Sequence, residues 1–403
     1  MSEKWKKQFI IVYMGQAFSI VGSSAIHFAI IWWIALQTGS AMSLALAAIT
    51  SVLPSILMGS FAGVWIDRYN RKLVMILADG LVALSSIALA LVFLWIEVPP
   101  LWMVYSVLFI RGIGSTFHGP AMQATIPMLV PTEMLTKAGG WGNLINSISN
   151  MLGPILGGFL IENFSISILM SVDVIGALFA IICLLFVTIP NIEKTTMKSK
   201  VLADMKEGFL TIRHNKVMMT VLPISLLCNV IFNPIFTLLP LLVRTHFMGS
   251  AQHNSIAEFS LAVGLLISSL VIGVWGGMKK RFLMVSIAIG CLGIAMTIIG
   301  VLPTDAFLIF IPCCFLVGAA ITFMEIPFMA YVQEVIAAEA LGKVISLVFM
   351  TSNLARPIGL LLGGFLSETI GVNNWFLLSG ILTIGIGIFC RISTKRYDDM
   401  EKN

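Results

Sequence analysis

Charge is what this 403-residue sequence has least of. Asp, Glu, Lys and Arg make up 11% of it, against 58% apolar residues and a mean hydropathy of +1.00. So little charge cannot clothe a soluble domain, and apolar runs of about 20 residues, each long enough to cross a bilayer as a helix, fill the chain. The six cysteines (Cys183, Cys228, Cys291, Cys313, Cys314 and Cys390) all lie in apolar runs without a Cys-x-x-Cys, which excludes a disulfide framework. The five histidines show no His-Glu-x-x-His or other metal-ligand spacing. No Gly-x-x-x-x-Gly-Lys-Ser/Thr loop is present, so the chain carries no nucleotide site of an ATP-driven pump. No catalytic constellation emerges, and neither a cofactor nor a metal is called for. The net charge of +5 has no basic-aromatic platform beside it, which argues against nucleic-acid binding.

What is present reads as twelve spans. Six lie near Phe9–Leu36, Ser43–Ile66, Leu73–Ile96, Leu101–Pro120, Gly139–Ile161 and Ile166–Ile189. Six more lie near Val217–Val243, Phe259–Met278, Phe282–Val301, Ala306–Tyr331, Val344–Ser367 and Trp375–Cys390. The runs are continuously apolar without period-two alternation, so helices fit and barrel strands do not. The basic start "MSEKWKK" precedes an apolar run too long for a cleaved signal, and the first span is expected to be retained. Of the 24 Lys and Arg residues, all but Arg111, Arg244 and Arg356 fall before the first span, in alternate loops or in the tail. The positive-inside rule then puts both termini in the cytoplasm, which requires an even number of spans.

The chain also repeats itself. "TFHGPAM" at Thr116 is answered by "TFMEIPF" at Thr322; Glu133, Leu135 and Lys137 return as Glu339, Leu341 and Lys343; "GGFL" at Gly157 returns at Gly363. One offset relates all of these. The charged decapeptide "GVWIDRYNRK" at Gly63 returns as "GVWGGMKKRF" at Gly273, without its acid. Residues 1–190 and 217–403 are therefore expected to be two six-helix bundles, joined by a basic-polar cytoplasmic linker over 191–216 with helical spacing in "DMKEGFLTIRHNK". Same-orientation repeats imply an all-α membrane protein whose bundles are related by a pseudo-two-fold axis along the membrane normal, the major facilitator arrangement.

Two motifs carry a resemblance to that superfamily. Gly63-x-x-x-Asp67-Arg68-x-x-Arg71-Lys72 resembles its loop signature, with Asn70 where Gly is usual; Asn enters left-handed conformations more readily than most residues. Gly63 would allow close helix packing, and the basic residues would hold the loop inside. The resemblance implies that Asp67 steadies the outward-facing state at a helix N-terminus, an interaction of roughly 0.3–1 kcal/mol when exposed. In the fifth span, Gly153-Pro154-Ile155-Leu156-Gly157-Gly158 bends the helix and admits a close neighbour. In the superfamily this pattern is associated with antiporting exporters.

Polar residues at helical spacing mark the helices that line the cavity in this superfamily. They are Gln16, Ser19, Ser23 and His27 in the first span, and Arg111, Ser115 and His118 in the fourth. The seventh carries Asn229, Asn233 and Thr237, and the tenth Thr322 and Glu325; Asn143, Ser147 and Asn150, with Asn353 and Arg356, extend the set. Phe117, Phe232, Phe236, Phe323 and Met324 would supply an apolar wall. A charge at mid-membrane costs about 2.5–3.5 kcal/mol, so Asp79, Arg111, Asp173, Glu325 and Arg356 stand out. Glu325, an isolated carboxyl on a cavity helix, is the leading proton-coupling candidate, followed by Asp173 and Asp79, with Arg111 as a balancing charge. Pairing of Glu325 with Arg356 is the structural alternative.

Within the superfamily the chain resembles the macrolide-efflux branch of bacterial drug exporters. "FIRGIGSTFHGPA" at Phe109, "LVPTEMLTKAGG" at Leu129, "DVIGA" at Asp173 and "GVNNWFLLSGIL" at Gly371 carry the resemblance. It implies a multi-pass protein of the bacterial cytoplasmic membrane that exports amphipathic drugs such as macrolides by proton antiport and alternating access. Its partners would be the drug, protons and the lipid bilayer; dependence on an accessory ATPase is left open. Transport of an endogenous metabolite or lipid, in either direction, is the alternative, and a non-transporting receptor or assembly partner a lesser one.

Overall fold

The structure is a computed structural model that describes residues 4–131, 134–189, 209–336 and 338–400, with a few side chains inside helices left out. Among the described residues it holds twelve long helices and no strand. They are α1 (Lys4–Thr38), α2 (Ala41–Arg68), α3 (Arg71–Trp95), α4 (Leu101–Leu129), α5 (Leu135–Asn163) and α6 (Ile166–Leu185). After the linker follow α7 (Lys216–Thr245), α8 (Ala251–Trp275), α9 (Arg281–Val301), α10 (Phe307–Val335), α11 (Ala338–Ile370) and α12 (Val372–Met400). Of the linker, residues 191–208 lie outside the described residues, and 209–214 form a short helical stretch.

Eleven of the twelve are long and apolar enough to cross a membrane; α4 is the exception. Its span carries Arg111, His118 and Gln123, and the fold hides its charge: Arg111 is only 8% exposed. Outward-facing residues are instead apolar. Val274 is 92% exposed, Trp95 86% and Leu308 85%. Such surfaces suit hydrocarbon rather than water, and the chain is a multi-pass membrane protein.

Helix ends follow local chemistry. Asn215 begins α7, its side chain accepting from the backbone N–H groups of Val217 and Met218 at 3.0 Å. Ser250 and His253 form a capping box at the start of α8, whose end is closed by Gly276 in the left-handed region (φ 78°). Two compact units result, Met1–Gln37 with Leu46–Met197, and Thr38–Ala45 with Lys198–Asn403. In the second, Glu368 near the end of α11 accepts from Met42 N at 3.2 Å and from the Ser40 hydroxyl.

Small residues set how closely the helices approach. A Cβ on Gly264 of α8 would strike the Phe315 carbonyl oxygen, and one on Gly318 of α10 would strike that of Leu261. These two helices therefore meet backbone to backbone.

Candidate functional site

Four helices of the first unit converge on a buried ion pair. Arg111 of α4 bonds Asp173 of α6 through Nη1, and Asp173 is 1% exposed. Ser86 of α3 donates to Asp173 Oδ2 at 2.6 Å and accepts from Arg111 at 2.9 Å. Ser23 of α1 donates to Oδ1 at 2.5 Å, and its carbonyl accepts from Arg111 Nη2 at 3.3 Å. These bonds make the two charges admissible, because desolvating an ion costs several kcal/mol unless a partner offsets it.

A second polar layer lies seven residues along three of the same helices. Gln16, Asp79 and His118 stand two turns, about 10 Å, from Ser23, Ser86 and Arg111 respectively. Gln16 Nε2 donates to Asp79 Oδ2 at 3.2 Å, while His118 Nε2 lies 2.7 Å from Gln16 Oε1 and 3.4 Å from Asp79 Oδ1. The structure thus gathers Asp79, Arg111 and Asp173 into one polar axis. The polar groups of Gln16, Ser23 and His118 face neighbouring helices of the unit.

The first unit holds a cavity of about 630 Å³ on an apolar face of α1 and α5. Trp5, Phe9, Tyr13, Met14 and Ala17 line one side, and Trp141, Leu144, Ile145, Ile148 and Ser149 the other. The Phe9 and Tyr13 rings lie 4.2 Å apart. The lining recurs on α5 at helical spacing but is apolar, so a search for polar stripes passes over it. Asn150 is exposed and outside this lining, and the side chain of Asn143 is outside the described residues. Beyond this cavity α5 closes onto α1: added Cβ atoms on Gly153 and Gly157 would strike Ser24, Ala25 and Phe28. Pro154 and Gly158 are buried beside them.

In the second unit, Glu325 and Asn229 share a cavity of about 380 Å³ with Met324, Phe328 and Phe349. Glu325 is exposed toward this space, and among the described residues it forms no ion pair with Arg356. Asn233 donates to Asn229 Oδ1 at 3.0 Å, and Phe236 stacks edge-on to Phe232. Phe323 is half-buried, while Asn353 and Arg356 are exposed and lie outside the lining. Thr322 is buried, with its hydroxyl 3.3 Å from the Leu265 carbonyl of α8. His27 and Ser115 are exposed and line neither cavity.

The charged loop gains specific contacts. Arg71 bonds the Ala124 carbonyl of α4, and Lys72 Nζ bonds the carbonyls of Leu185 and Val187 at 3.2 and 2.9 Å. Both cations thereby satisfy carbonyls near helix C-termini. Asn70 is extended (φ −63°, ψ 114°), and its Oδ1 accepts from Leu73 N at 3.3 Å. It serves as the N-cap of α3, which corrects the left-handed reading. A Cβ on Gly63 would meet nothing within 4 Å among the described residues. Arg68 is exposed; the side chain of Asp67 lies outside the described residues.

Two carboxyls within helices lie outside the sequence expectations. The expected eighth span begins at Phe259 and excludes Glu258, whereas α8 begins at Ala251. Asp398, assigned to the tail, is 1% exposed and accepts from Phe282 N at 3.0 Å and Arg391 Nη1 at 2.6 Å. It supplies an acid at the start of α9, where the second copy of the decapeptide has none.

Twelve long helices with an apolar exterior and buried polar centres define a polytopic membrane protein with a transporter fold. The profile of the Major Facilitator Superfamily matches residues 12–360, and the chain belongs to this superfamily. It is 39% identical over 388 residues to macrolide efflux protein A of Streptococcus pyogenes, covering 96% of each chain. It is 38% identical over 324 residues to macrolide efflux protein A of Enterococcus faecalis, covering 80% of this chain and all of the relative. Among solved structures, an inward-facing bacterial homologue of the iron transporter ferroportin superposes with a TM-score of 0.72 at 16% identity, covering 95% of this chain and 98% of the other.

Proposed function

We propose that the protein is a secondary active exporter of amphipathic drugs, macrolides foremost, in the bacterial cytoplasmic membrane. The observation that carries this reading is the apolar, aromatic cavity of about 630 Å³ between α1 and α5. Its size falls in the roughly 300–1,000 Å³ range of small-molecule sites, and its wall suits a bulky substrate bound mainly by apolar contact. The chain-long similarity to two macrolide efflux proteins supports the same substrate class. The distribution of Lys and Arg supports cytoplasmic termini.

Export is coupled to inward proton movement by alternating access. Residues 1–190 and 217–403 are the two moving repeats, joined by 191–216. Glu325 is best placed to exchange a proton with bound drug, since it faces a cavity and has no ion-pair partner among the described residues. Asp173 and Asp79, balanced by Arg111 and His118, are the alternative carriers. The Gly153–Gly158 motif sets the α1–α5 approach that bounds the drug cavity, which ties the antiporter signature to a physical task. Asp67 acts as the conformational latch of its loop.

The test is drug susceptibility of a sensitive host with and without the gene across a macrolide panel, paired with drug uptake into everted vesicles under an imposed proton gradient. Resistance with gradient-dependent uptake is expected. Unchanged susceptibility, or uptake indifferent to the gradient, would overturn the reading. Glu325→Gln should lose gradient-driven movement while drug binding survives, and Asp67→Asn should impair transport without impairing insertion.

A further inference from the structure

The tight seam between α8 and α10 encloses a polar pair that no part of the mechanism above uses. Asn254 is fully buried, and its amide nitrogen donates to Glu258 Oε1 at 2.8 Å. Its carbonyl oxygen is buried with no hydrogen-bond partner. Glu258 lies seven residues, about 10 Å, into α8, and its side chain remains partly accessible. Among the described residues its one polar bond is to Asn254, and it makes no ion pair. The titratable group facing it from α10 is the buried Cys314 thiol, with Cys313 beside it. On its own helix, His253 is engaged by Ser250 and the Phe307 ring. Arg244, near the end of α7, is exposed. Just beyond Glu258, Ser260 bonds the Ile311 carbonyl at 2.8 Å, which pins α8 to α10 at this level.

The arrangement is asymmetric in a specific way. An ionised carboxyl can only accept, so it takes the amide N–H and leaves the neighbouring amide oxygen without a donor. A protonated carboxyl supplies that donor. With a turn about its last side-chain bond, Oε1 still accepts from the amide nitrogen while the carboxyl O–H donates to Asn254 Oδ1. Each group then donates once and accepts once, and the buried orphan is satisfied.

We propose that Glu258 and Asn254 form a proton-binding site in the α8–α10 seam, with the proton carried on the Glu258 carboxyl and the Asn254 amide oxygen as its hydrogen-bond acceptor. The proton is taken from water as the acid–amide pair closes and returned to water as it opens. The outer end of α8 supplies it if the termini are cytoplasmic. A coupling role rests on the antiport reading above; proton binding itself does not.

Infrared difference spectra of the purified full-length protein across a pH step separate the two. Wild type should show a protonated-carboxyl stretch that disappears in Glu258→Gln and returns shifted in Glu258→Asp. In Asn254→Leu the band should move, because the O–H loses its acceptor. A Glu258→Gln spectrum that superimposes on wild type, with the variant folded as judged by its melting curve, overturns the site. In vesicles, Glu258→Gln mimics the closed pair permanently. It should lose gradient-driven drug movement and keep drug exchange without a gradient; unaltered gradient-driven movement overturns the coupling role. If wild type itself shows no gradient dependence, the antiport reading fails while the infrared band still decides the site.

Discussion

Neutralising Arg111 or Asp173 alone should damage the protein more than neutralising both. The pair is buried, with Arg111 8% and Asp173 1% exposed, and Ser23 and Ser86 complete its hydrogen bonding. Arg111→Gln leaves the Asp173 carboxylate among apolar helices with two hydroxyls for company. Asp173→Asn leaves the guanidinium with one hydroxyl, one carbonyl and an amide. Breaking a buried pair from one side costs about 3–5 kcal/mol, because the remaining charge stays desolvated. Replacing both charges by neutral groups of similar shape is often near neutral. The double variant should therefore be more stable than either single one by about 2 kcal/mol or more, a coupling outside the additivity seen for independent sites. Unfolding titrations with dodecyl sulfate in mixed micelles measure this directly. If the double variant shows the sum of the two single losses, the residues do not act as a pair and the buried centre has been misread. Transport by the stable double variant then separates scaffold from mechanism. Recovery of gradient-driven export along with stability would remove Asp173 from the proton carriers.

Further expectations rest on single contacts. Asn70→Ala should destabilise α3 by about 1 kcal/mol and Asn70→Gly by only a few tenths, as for an N-cap; stabilisation by Gly would instead indicate a left-handed residue. Asp398→Ala removes a buried acceptor from both Phe282 N and Arg391, with an expected loss of about 1.5–3 kcal/mol on unfolding in detergent. Gly157→Val would drive a branched side chain into the Ala25 carbonyl and Phe28, so folded yield should collapse, whereas Gly63→Ala, with nothing near, should express normally. Trp141→Ala should weaken macrolide binding to the purified protein at least several-fold; unchanged affinity would move the drug site away from the α1–α5 cavity.

The fold was legible because its cause is simple. Apolar runs long enough to span hydrocarbon, separated by basic or turn-forming loops, leave the backbone no choice but helix. The loops were legible by residue type but not by contact. In sequence Arg71 and Lys72 are topological charges, and only the fold brings the carbonyls of Ala124, Leu185 and Val187 to them. The site was legible where charge is costly: Asp79, Arg111, Asp173 and Glu325 stood out on desolvation alone. It was illegible where the signal is apolar, as on α5, whose cavity face has the same composition as a lipid-facing one.

Repetition also misleads about the site. The offset that joins "TFHGPAM" to "TFMEIPF" takes Arg111 to Val317 and Asp173 to Ser379. The second repeat thus lacks the buried pair and carries Glu258 and Glu325 instead, the former in the α8–α10 seam and the latter in a cavity of its own. Duplication reproduces what the backbone needs: the Gly, Pro and loop positions that set helix approach. The Arg111–Asp173 centre draws its partners from four helices at once, so a half can hold such a network only if all its members are present together. That is why internal symmetry is a sound guide to the scaffold of this protein and a poor one to its buried charges. A charge-bearing position should be assigned from its partners, not from its counterpart in the other repeat.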